Sequence, residues 1–257
     1  MDMKETIVFV GRLKQEIHDK EGTLFNAYLS GSKLYGWDSY NSDTDVRGMF
    51  SLNPRRYLGL TVPKETIQLH QIGEEYDVVM HELRKTINLA LKGNCNILEG
   101  FSAPQIYKDA KFKGLQKLVL NSFGKDGLYN SYRGMAWQNY KKFILQGRNT
   151  VKKYLYVYRG LLAGRYVLTT GKIEPNMEVL AKYFRCDNAK HLLKIKRAGS
   201  ENEPLSELKQ GDLDLEIKEL FDKIDDAYVL SELPRKPEDD DVKEVENYLI
   251  NLRLEGL

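Results

Sequence analysis

Two neighbouring stretches decide how this chain is interpreted: SGSKLYG at residues 30–36 and SDTDVRG at residues 42–48. The first is a turn of small residues, where a backbone can approach phosphates closely. The second reads as a strand that carries Asp43 and Asp45. Because strand side chains alternate between two faces, these carboxylates point the same way, with Cα atoms roughly 6 to 7 Å apart. Two carboxylates on one face repel each other unless a cation separates them, so the pattern predicts a metal site.

The expected metal is Mg2+ (or Mn2+). Mg2+ prefers oxygen ligands and keeps several waters or substrate phosphate oxygens around it. In two-metal phosphoryl transfer, ions about 3.5 to 4 Å apart stabilise the attacking and leaving oxygens of an in-line displacement. A third carboxylate from an adjacent strand would complete such a site.

The spacing of these residues resembles a family signature. Gly31 and Ser32, ten intervening residues, and then Asp43 and Asp45 are similar to the signature of the DNA polymerase β-type nucleotidyltransferase superfamily. The sequence motifs GSxxYG and SDxDVRG more narrowly resemble those of bacterial and phage nucleotidyltransferases associated with RNA repair. Stretches 76–85, 91–94 and 152–157 are also similar to that branch, and the similarity thins after about Thr170.

The resemblance implies an α/β (α+β) fold, with a small mixed β-sheet nucleotidyltransferase core and a C-terminal helical part. It also implies an enzyme that moves a nucleoside monophosphate from an NTP to an acceptor hydroxyl and releases pyrophosphate. An RNA 3′ end is the acceptor that this branch suggests. The rival interpretations are transfer to a protein side chain or small molecule, and a catalytically silent nucleotide- or RNA-binding module.

The third carboxylate is expected on a strand that pairs beside the first one. Residues 66–72 and 75–81 read as two strands, and family resemblance places the third acidic residue in the second of them. Asp77 is the choice, as a metal ligand and as the general base that deprotonates the nucleophile. Glu75 on the same face and Glu82 are its competitors, although Glu82 fits better at the start of the next helix.

The phosphate contacts are predicted at the turn and on the same strand. The turn precedes a short helix over residues 32–35, and free amides at a helix start favour anions. Gly31, Ser32 and Lys33 are therefore predicted to bind the β- and γ-phosphates. Arg47 shares a strand face with the two aspartates and is either a phosphate contact or an ion-pair partner that orients them.

A later helix, predicted over residues 150–169, carries basic and aromatic groups on one face. Lys152, Tyr156 and Arg159 recur at spacings of three or four, as do Ala163 and Tyr166. Such a face can meet phosphates and stack on a base. Alternatively, the tyrosines fill the core and the cations reach solvent. The resemblance favours Lys153 or Arg159 on the triphosphate, and four further cations are within reach of phosphates: Arg133, Lys141, Lys142 and Arg165.

The remaining pattern predicts a mixed N-terminal part and a helical C-terminal part. Two further strands are expected over residues 24–30 and 43–51, and residues 96–101 fit either a strand or a short helix. Further helices are predicted over residues 5–19, 54–58, 82–92, 105–121, 132–146, 177–184, 203–210, 214–230 and 238–252. The proposed division is a catalytic core over residues 1–104 and a helical region over residues 105–257 that covers the substrate cleft.

Composition allows this architecture and narrows the partners. The 257 residues are 42% hydrophobic and 11% aromatic, enough to bury a core. A formal charge of +2 gives no global field that demands nucleic acid, so RNA binding has to be argued locally. The two cysteines, Cys95 and Cys186, lie far apart, which suits a reduced cytoplasm. No signal-peptide pattern or apolar run of membrane-spanning length is present, so a cytoplasmic protein without a membrane partner is expected.

Overall fold

A computed structural model of the chain describes residues 3–40, 42–61, 63–69, 76–199 and 210–255. Its strands are β1 (Gly22–Leu29), β2 (Thr44–Leu52), β3 (Thr66–Leu69), β4 (Tyr76–Glu82) and β5 (Gln105–Lys108). Its first helices are α1 (Met3–His18), α2 (Gly31–Tyr35), α3 (Arg55–Leu58), α4 (Leu83–Leu91), α5 (Cys95–Ser102) and α6 (Phe112–Asn121). The later ones are α7 (Lys125–Asn139), continued by a π-helical turn (Tyr140–Ile144), α8 (Val151–Thr170), α9 (Met177–Tyr183), α10 (Asp187–Ala198), α11 (Gln210–Leu230) and α12 (Asp239–Leu254).

The strands form one mixed sheet in the order β3-β4-β2-β1-β5. Only the β2–β4 pair is parallel among the described pairs, and β1 joins β2 by an antiparallel pairing. One face of the sheet packs on α1, where Phe9, Leu13 and Ile17 meet Val46 and Met80. The alternation of a strand therefore directs Asp45, Arg47 and Met49 to the opposite face.

That opposite face is covered by helices. Phe25 and Met49 of the sheet share one apolar core with Tyr132 of α7, Leu162 of α8 and Ile217 of α11. Helix α8 lies inside this layer, because most of its residues are buried, including Gly160 and Gly164. The sheet and the helices are thus joined by a continuous core, and the expected α/β fold with a helical C-terminal part is confirmed.

Most predicted elements are present with small shifts at their ends. The first two strands, the α1 segment and the helix over residues 150–169 agree with the sequence pattern within a few residues. The ambiguous stretch 96–101 is helical and lies in α5, because Asn94 caps it by accepting a hydrogen bond from the backbone N–H of Ile97. Residues 70–75, at the ends of the two strands predicted over 66–72 and 75–81, and residues 203–209 of a predicted helix, lie outside the described part.

One expectation about the helical part was wrong, and one helix was not predicted. The helix predicted from residue 105 begins only at Phe112, because Gln105–Lys108 pairs antiparallel with β1 as the strand β5. The Gln105 side chain accepts a hydrogen bond from Asn26 at 2.6 Å, a contact that no local pattern reveals. Helix α10 was also missed. Since β5 begins after residue 104, the sheet takes a strand from beyond the predicted boundary, and the division into two regions stays a prediction.

Within the described segments, no helix has both the length and the apolar character that crossing a bilayer requires.

Candidate active site

Two of the predicted metal ligands lie side by side in the sheet. In the parallel pairing of β2 and β4, Asp45 is the register partner of Asp77, so both carboxylates project from the same face. The expectation that the strand of Asp77 pairs beside the strand of Asp45 is therefore confirmed. Asp43 lies just before β2 and is exposed, close enough to influence the ionisation of Asp45.

The Gly-Ser turn lies directly over Asp45. The backbone N–H of Ser30 donates to the Asp45 carbonyl oxygen at 2.8 Å, which joins the turn to β2. Gly31 has a φ of +57°, a conformation that residues with a Cβ rarely adopt. A Cβ at Gly31 would also overlap the Asp45 carboxylate. This position therefore needs glycine for two independent reasons.

Arg47 bridges the two carboxylates. Its Nη2 donates to Asp45 Oδ1 at 2.9 Å and to Asp77 Oδ2 at 2.7 Å. Its Nη1 donates to the backbone carbonyls of Asp77 at 2.5 Å and Val46 at 3.0 Å. Of the two roles expected for Arg47, the structure contains the ion pair.

The Asp45 carboxyl lies in an unfavourable environment for a negative charge. Burial raises the pKa of Asp45, the Arg47 guanidinium opposes that rise, and the charges of Asp77 and Asp43 add to it. Burial and neighbouring carboxylates both disfavour the ionised form. A cation at this position would therefore relieve a cost that the fold imposes on Asp45.

The loop between α2 and β2 is anchored from the helical part. Lys196 of α10 donates to Ser39 Oγ at 3.2 Å, and Arg197 Nε donates to the Gly36 carbonyl at 2.9 Å. The Ser42 hydroxyl accepts a hydrogen bond from the Ser39 backbone N–H at 2.9 Å, which closes the loop just before Asp43. Helix α10, which the sequence pattern did not reveal, thus holds the segment that carries Asp43.

A cavity of about 580 Å3 opens between this face of the sheet and the helices. Its volume is in the range of small-molecule and cofactor sites. The sheet side contributes the turn, the Asp45–Arg47 pair and His81, and the helix side contributes α5, α7 and α8. The lining residues that the sequence had not indicated as site residues include Tyr28, Tyr35, Asn96, Met135 and Asn139.

Three residues of the basic, aromatic face predicted on α8 line this cavity: Lys152, Tyr156 and Arg159. Lys153 lines it too, with its Nζ 3.9 Å from the centroid of the Phe143 ring. These three residues share a side because residues three or four apart in a helix do, whereas Ala163 and Tyr166, predicted on the same face, do not line the cavity. Tyr156 also packs edge-on against the buried Trp37, with ring centroids 5.4 Å apart.

Arg159 is buried and ion-paired at the cavity. It is 1% exposed, forms an ion pair with the buried Glu99, and lies over the Tyr35 ring at 3.7 Å. Burial alone would lower the pKa of Arg159, but the charge of Glu99 raises it above the usual range. The guanidinium is therefore a fixed positive charge at the cavity floor. Glu99 was not indicated by the sequence because a single buried acid has no periodic pattern.

Other predicted phosphate contacts lie elsewhere. Lys33 lines a separate groove with Leu34 and Pro175. Gly31 and Lys33 are two positions apart in α2, which rotates them by about 200°, so they face opposite sides of the helix. Ser32 is absent from the cavity lining as well, whereas Ser30 and Gly31 belong to it. Arg133 is paired with Asp225 at 2.6 Å.

Of the two alternatives to Asp77 as the third metal ligand, only Glu82 lies within the described residues. Glu82 is completely buried and caps α4, since its carboxylate accepts from the Arg84 backbone N–H at 2.7 Å. It also pairs with Arg253 at 2.8 Å, so it is engaged in joining the sheet to α12. Glu75 lies outside the described residues.

The donor set fits a hard divalent cation that shares its coordination with substrate. Asp45 and Asp77 supply carboxylate oxygens from adjacent strands, with side chains 30% and 53% exposed. Among the described residues, no three His, Cys, Asp or Glu side chains converge as a complete metal cage. Mg2+ is commonly bound by one or two carboxylates together with waters and substrate phosphates, so this pair suits it.

The mixed sheet, the turn of Gly31 over Asp45 and the adjacent Asp77 form the arrangement that the resemblance to DNA polymerase β-type nucleotidyltransferases implies. A family model described as "RNA repair pathway DNA polymerase beta family" (RlaP) matches residues 5–251. The chain belongs to this family of nucleotidyltransferases, and the resemblance read from its motifs is confirmed.

Individual known proteins are similar to parts or all of the chain. The uncharacterized protein YcgL of Bacillus subtilis (strain 168) is 32% identical over 151 residues, which is 58% of this chain and 58% of that protein. The spectinomycin adenyltransferase AAD(9) from Enterococcus faecialis, solved with ATP and spectinomycin, has a TM-score of 0.48 at 13% identity, over 87% of this chain and 100% of that chain. A nucleotidyltransferase-like protein from Exiguobacterium sibiricum 255-15 has a TM-score of 0.32 at 14% identity, over 98% and 80%. These TM-scores are too low for residue correspondences to follow from them.

Proposed function

We propose that this protein transfers a nucleoside monophosphate from an NTP to an acceptor hydroxyl and releases pyrophosphate. The observation that carries the proposal is the in-register pair of Asp45 and Asp77, with Gly31 packed over the first carboxylate at the rim of the cavity. Two neighbouring carboxylates repel each other, and a cation bound between them and the phosphates would offset that repulsion.

In the proposed reaction, Asp43, Asp45 and Asp77 hold Mg2+ (or Mn2+), which when bound supplies positive charge to the triphosphate and to the attacking oxygen. Asp77, about half exposed, accepts the proton of the acceptor hydroxyl. The acceptor oxygen then forms a bond to the α-phosphorus. The bond between the α-phosphorus and the bridging oxygen breaks, and its electron pair leaves with pyrophosphate.

The cavity provides room and contacts for the nucleotide. Lys153 and Arg159 place positive charge on its helix side, and Tyr156 offers an aromatic ring on which a base can stack. Gly31 and Arg47 lie on its sheet side. Ser32 and Lys33 keep their proposed role only if the phosphates extend around the turn, because neither side chain lines the cavity.

The acceptor that we propose is an RNA 3′ end, in a cytoplasmic setting. Membership of a family described by RNA repair supports the choice of RNA. Cations near the cavity support it too, since Lys142 and Lys153 both place Nζ near the Phe143 ring and Lys153 lines the cavity. Lys141 is exposed beside Lys142 on the π-helical turn. The cytoplasmic setting is supported by Cys95 and Cys186, which are both buried and not joined in a disulfide.

The test is a transfer assay with a matched acid control. The purified protein is incubated with Mg2+ or Mn2+, each α-labelled NTP in turn, and RNA, DNA or protein acceptors. RNA is supplied with a free 3′ hydroxyl or with a 3′-deoxy end. We expect label and stoichiometric pyrophosphate only with a free RNA 3′ hydroxyl.

Asp45→Asn should reduce the rate on the order of 100-fold or more, because a displaced metal ligand misplaces the reacting atoms. Asp222→Asn, at an exposed aspartate of α11, serves as the control and should transfer at the wild-type rate. Label on protein instead of RNA would overturn the acceptor and keep the chemistry. Transfer that is equally fast in both variants would overturn the site.

A further inference from the structure

The guanidinium of Arg47 lies where the charge of a metal would be needed. Its Nη2 is 2.9 Å from an oxygen of Asp45 and 2.7 Å from an oxygen of Asp77. Both contacts are in the range of charge-assisted hydrogen bonds. A single nitrogen therefore holds both carboxylates, and one oxygen of each is engaged by it.

This position is incompatible with a divalent cation between the same oxygens. A cation bound by both carboxylates would lie within a few ångströms of the guanidinium, and the two positive charges would repel each other. An arginine does not lose its proton in proteins, so it cannot yield by becoming neutral. Arg47 has to move for the metal to bind.

The cavity offers Arg47 another partner. Arg47 lines the cavity together with Gly31, on the side where the proposed triphosphate lies. Guanidinium groups bind phosphate oxygens in a two-pronged manner and form strong hydrogen bonds there. The side chain is 26% exposed and lines the cavity. A rotation toward the cavity would exchange its bonds to the carboxylates, and those of Nη1 to the Val46 and Asp77 carbonyls, for bonds to phosphates.

We propose that Arg47 is an internal counter-ion that occupies the metal site until a nucleoside triphosphate draws its guanidinium away. Without nucleotide, Arg47 balances part of the negative charge of Asp45 and Asp77 and competes with divalent cations. With nucleotide, it transfers to the phosphates and leaves the carboxylates to the metal. Metal and nucleotide then bind cooperatively, because each removes the obstacle to the other. This inference rests on the proposed function.

The test is a binding measurement that needs no turnover. The Mn2+ affinity of the 257-residue chain is measured by the electron paramagnetic resonance signal of free Mn2+. The measurement is made with and without an NTP analogue that has a methylene group between the α- and β-phosphates. The analogue also binds Mn2+, so its own affinity is measured separately and subtracted. The wild-type protein should bind Mn2+ weakly alone and about 5- to 150-fold more tightly with the analogue, the usual range of such coupling.

Arg47→Ala should bind Mn2+ more tightly than the wild type in the absence of nucleotide, and the gain in affinity from the analogue should be smaller than in the wild type. Arg47→Gln, which keeps hydrogen-bonding groups and removes the charge, should behave in the same way and serves if the alanine variant fails to fold. Arg56→Ala is the matched control, because Arg56 pairs with Glu21 at 3.1 Å outside the cavity. It should keep the wild-type affinity and coupling.

Two contrary results are distinguishable. If Mn2+ binds to the wild type and is lost in Asp45→Asn, but Arg47→Ala and Arg47→Gln bind Mn2+ no more tightly than the wild type, Arg47 is a static ion-pair partner and only this inference fails. If Mn2+ affinity is the same in the wild type and Asp45→Asn under every condition, the metal site itself is wrong and the proposed function fails with it.

Discussion

Gly31 is the residue at which the site is most sensitive to a single methyl group. It has a φ of +57°, and a Cβ there would overlap the Asp45 carboxylate. Gly147 has a similar φ of +72°, but a Cβ there would meet nothing within 4 Å. Comparing alanine variants at the two positions therefore distinguishes the cost of backbone strain from the effect of moving Asp45.

We expect Gly31→Ala and Gly147→Ala to share a loss of about 1 to 2 kcal/mol from the left-handed conformation. Gly31→Ala should be further destabilised and should also lose Mn2+ binding, because Asp45 must move. Urea unfolding and Mn2+ titration of both variants measure the two effects. Equal stability and equal Mn2+ affinity in the two variants would show that the turn does not position Asp45.

His81 is expected to make the protein sensitive to acid. Burial lowers the pKa of His81, and the positive charges of Lys85 and Arg47 lower it further. A histidine whose pKa is lower in the folded state than in the unfolded state stabilises the fold above the unfolded value of about 6.5. That contribution is lost as the pH falls through the folded pKa.

The free energy of unfolding of the wild type should therefore fall between pH 7.5 and pH 5, and His81→Gln should remove part of that fall. Urea titrations at several pH values give the comparison. His18→Gln, at a histidine whose side chain is 83% exposed, is the matched control for the substitution itself. A wild type and a His81→Gln variant with the same pH slope would contradict the prediction.

At the scale of elements, the close approach of α7, α8 and α11 depends on small residues of α8. A Cβ at Gly164 would lie 2.7 Å from Tyr132 Cβ of α7 and 2.6 Å from the Ile224 side chain of α11. The end of the isoleucine can rotate, but Tyr132 Cβ moves only with its backbone. The helices would have to separate to admit the methyl group.

Gly164→Ala should therefore destabilise the protein by about 1 to 3 kcal/mol, the usual cost of overpacking. Gly134→Ala on α7 is the control, since a Cβ there meets nothing within 4 Å. It should stabilise the protein by up to about 1 kcal/mol, because alanine is the better helix former. Thermal and urea unfolding of the pair should give opposite signs, and a loss in both would contradict the packing argument.

At the scale of the whole molecule, α12 is joined to the sheet by a buried ion pair. Glu82 is completely buried, and its carboxylate accepts hydrogen bonds from Arg253 at 2.8 Å and from the Tyr57 hydroxyl at 2.5 Å. Arg253 also lies over the Tyr57 ring at 4.1 Å. The last helix of the chain thereby stabilises the end of the strand that carries Asp77.

Arg253→Met should cost about 3 kcal/mol, because it leaves Glu82 buried without its cation. Arg235→Met removes a comparable arginine whose pair with Asp126 is exposed, and it should cost much less than Arg253→Met. Hydrogen exchange should show faster opening of β4 and α12 in the first variant only. Similar losses in both variants would mean that the buried pair does not join the two parts.

Local features could be predicted from neighbouring residues: the glycine turn, the spacing of Asp43 and Asp45, the face of β4 that carries Asp77, and the face of α8 that carries Lys152 and Tyr156. These depend on periodicities of two and 3.6 residues, which neighbouring residues reveal without knowledge of the rest. The motif spacing also sufficed to indicate the family.

The contacts between distant segments could be read only from the folded chain. It brought Asp77 into register with Asp45, chose the ion pair for Arg47, turned Lys33 away from the cavity, and held the α2–β2 loop with α10. It also paired β5 with β1 and buried Glu99 against Arg159. Strand register and helix packing follow from the combined burial of surfaces far apart in the chain, and a local pattern contains no record of which surfaces meet.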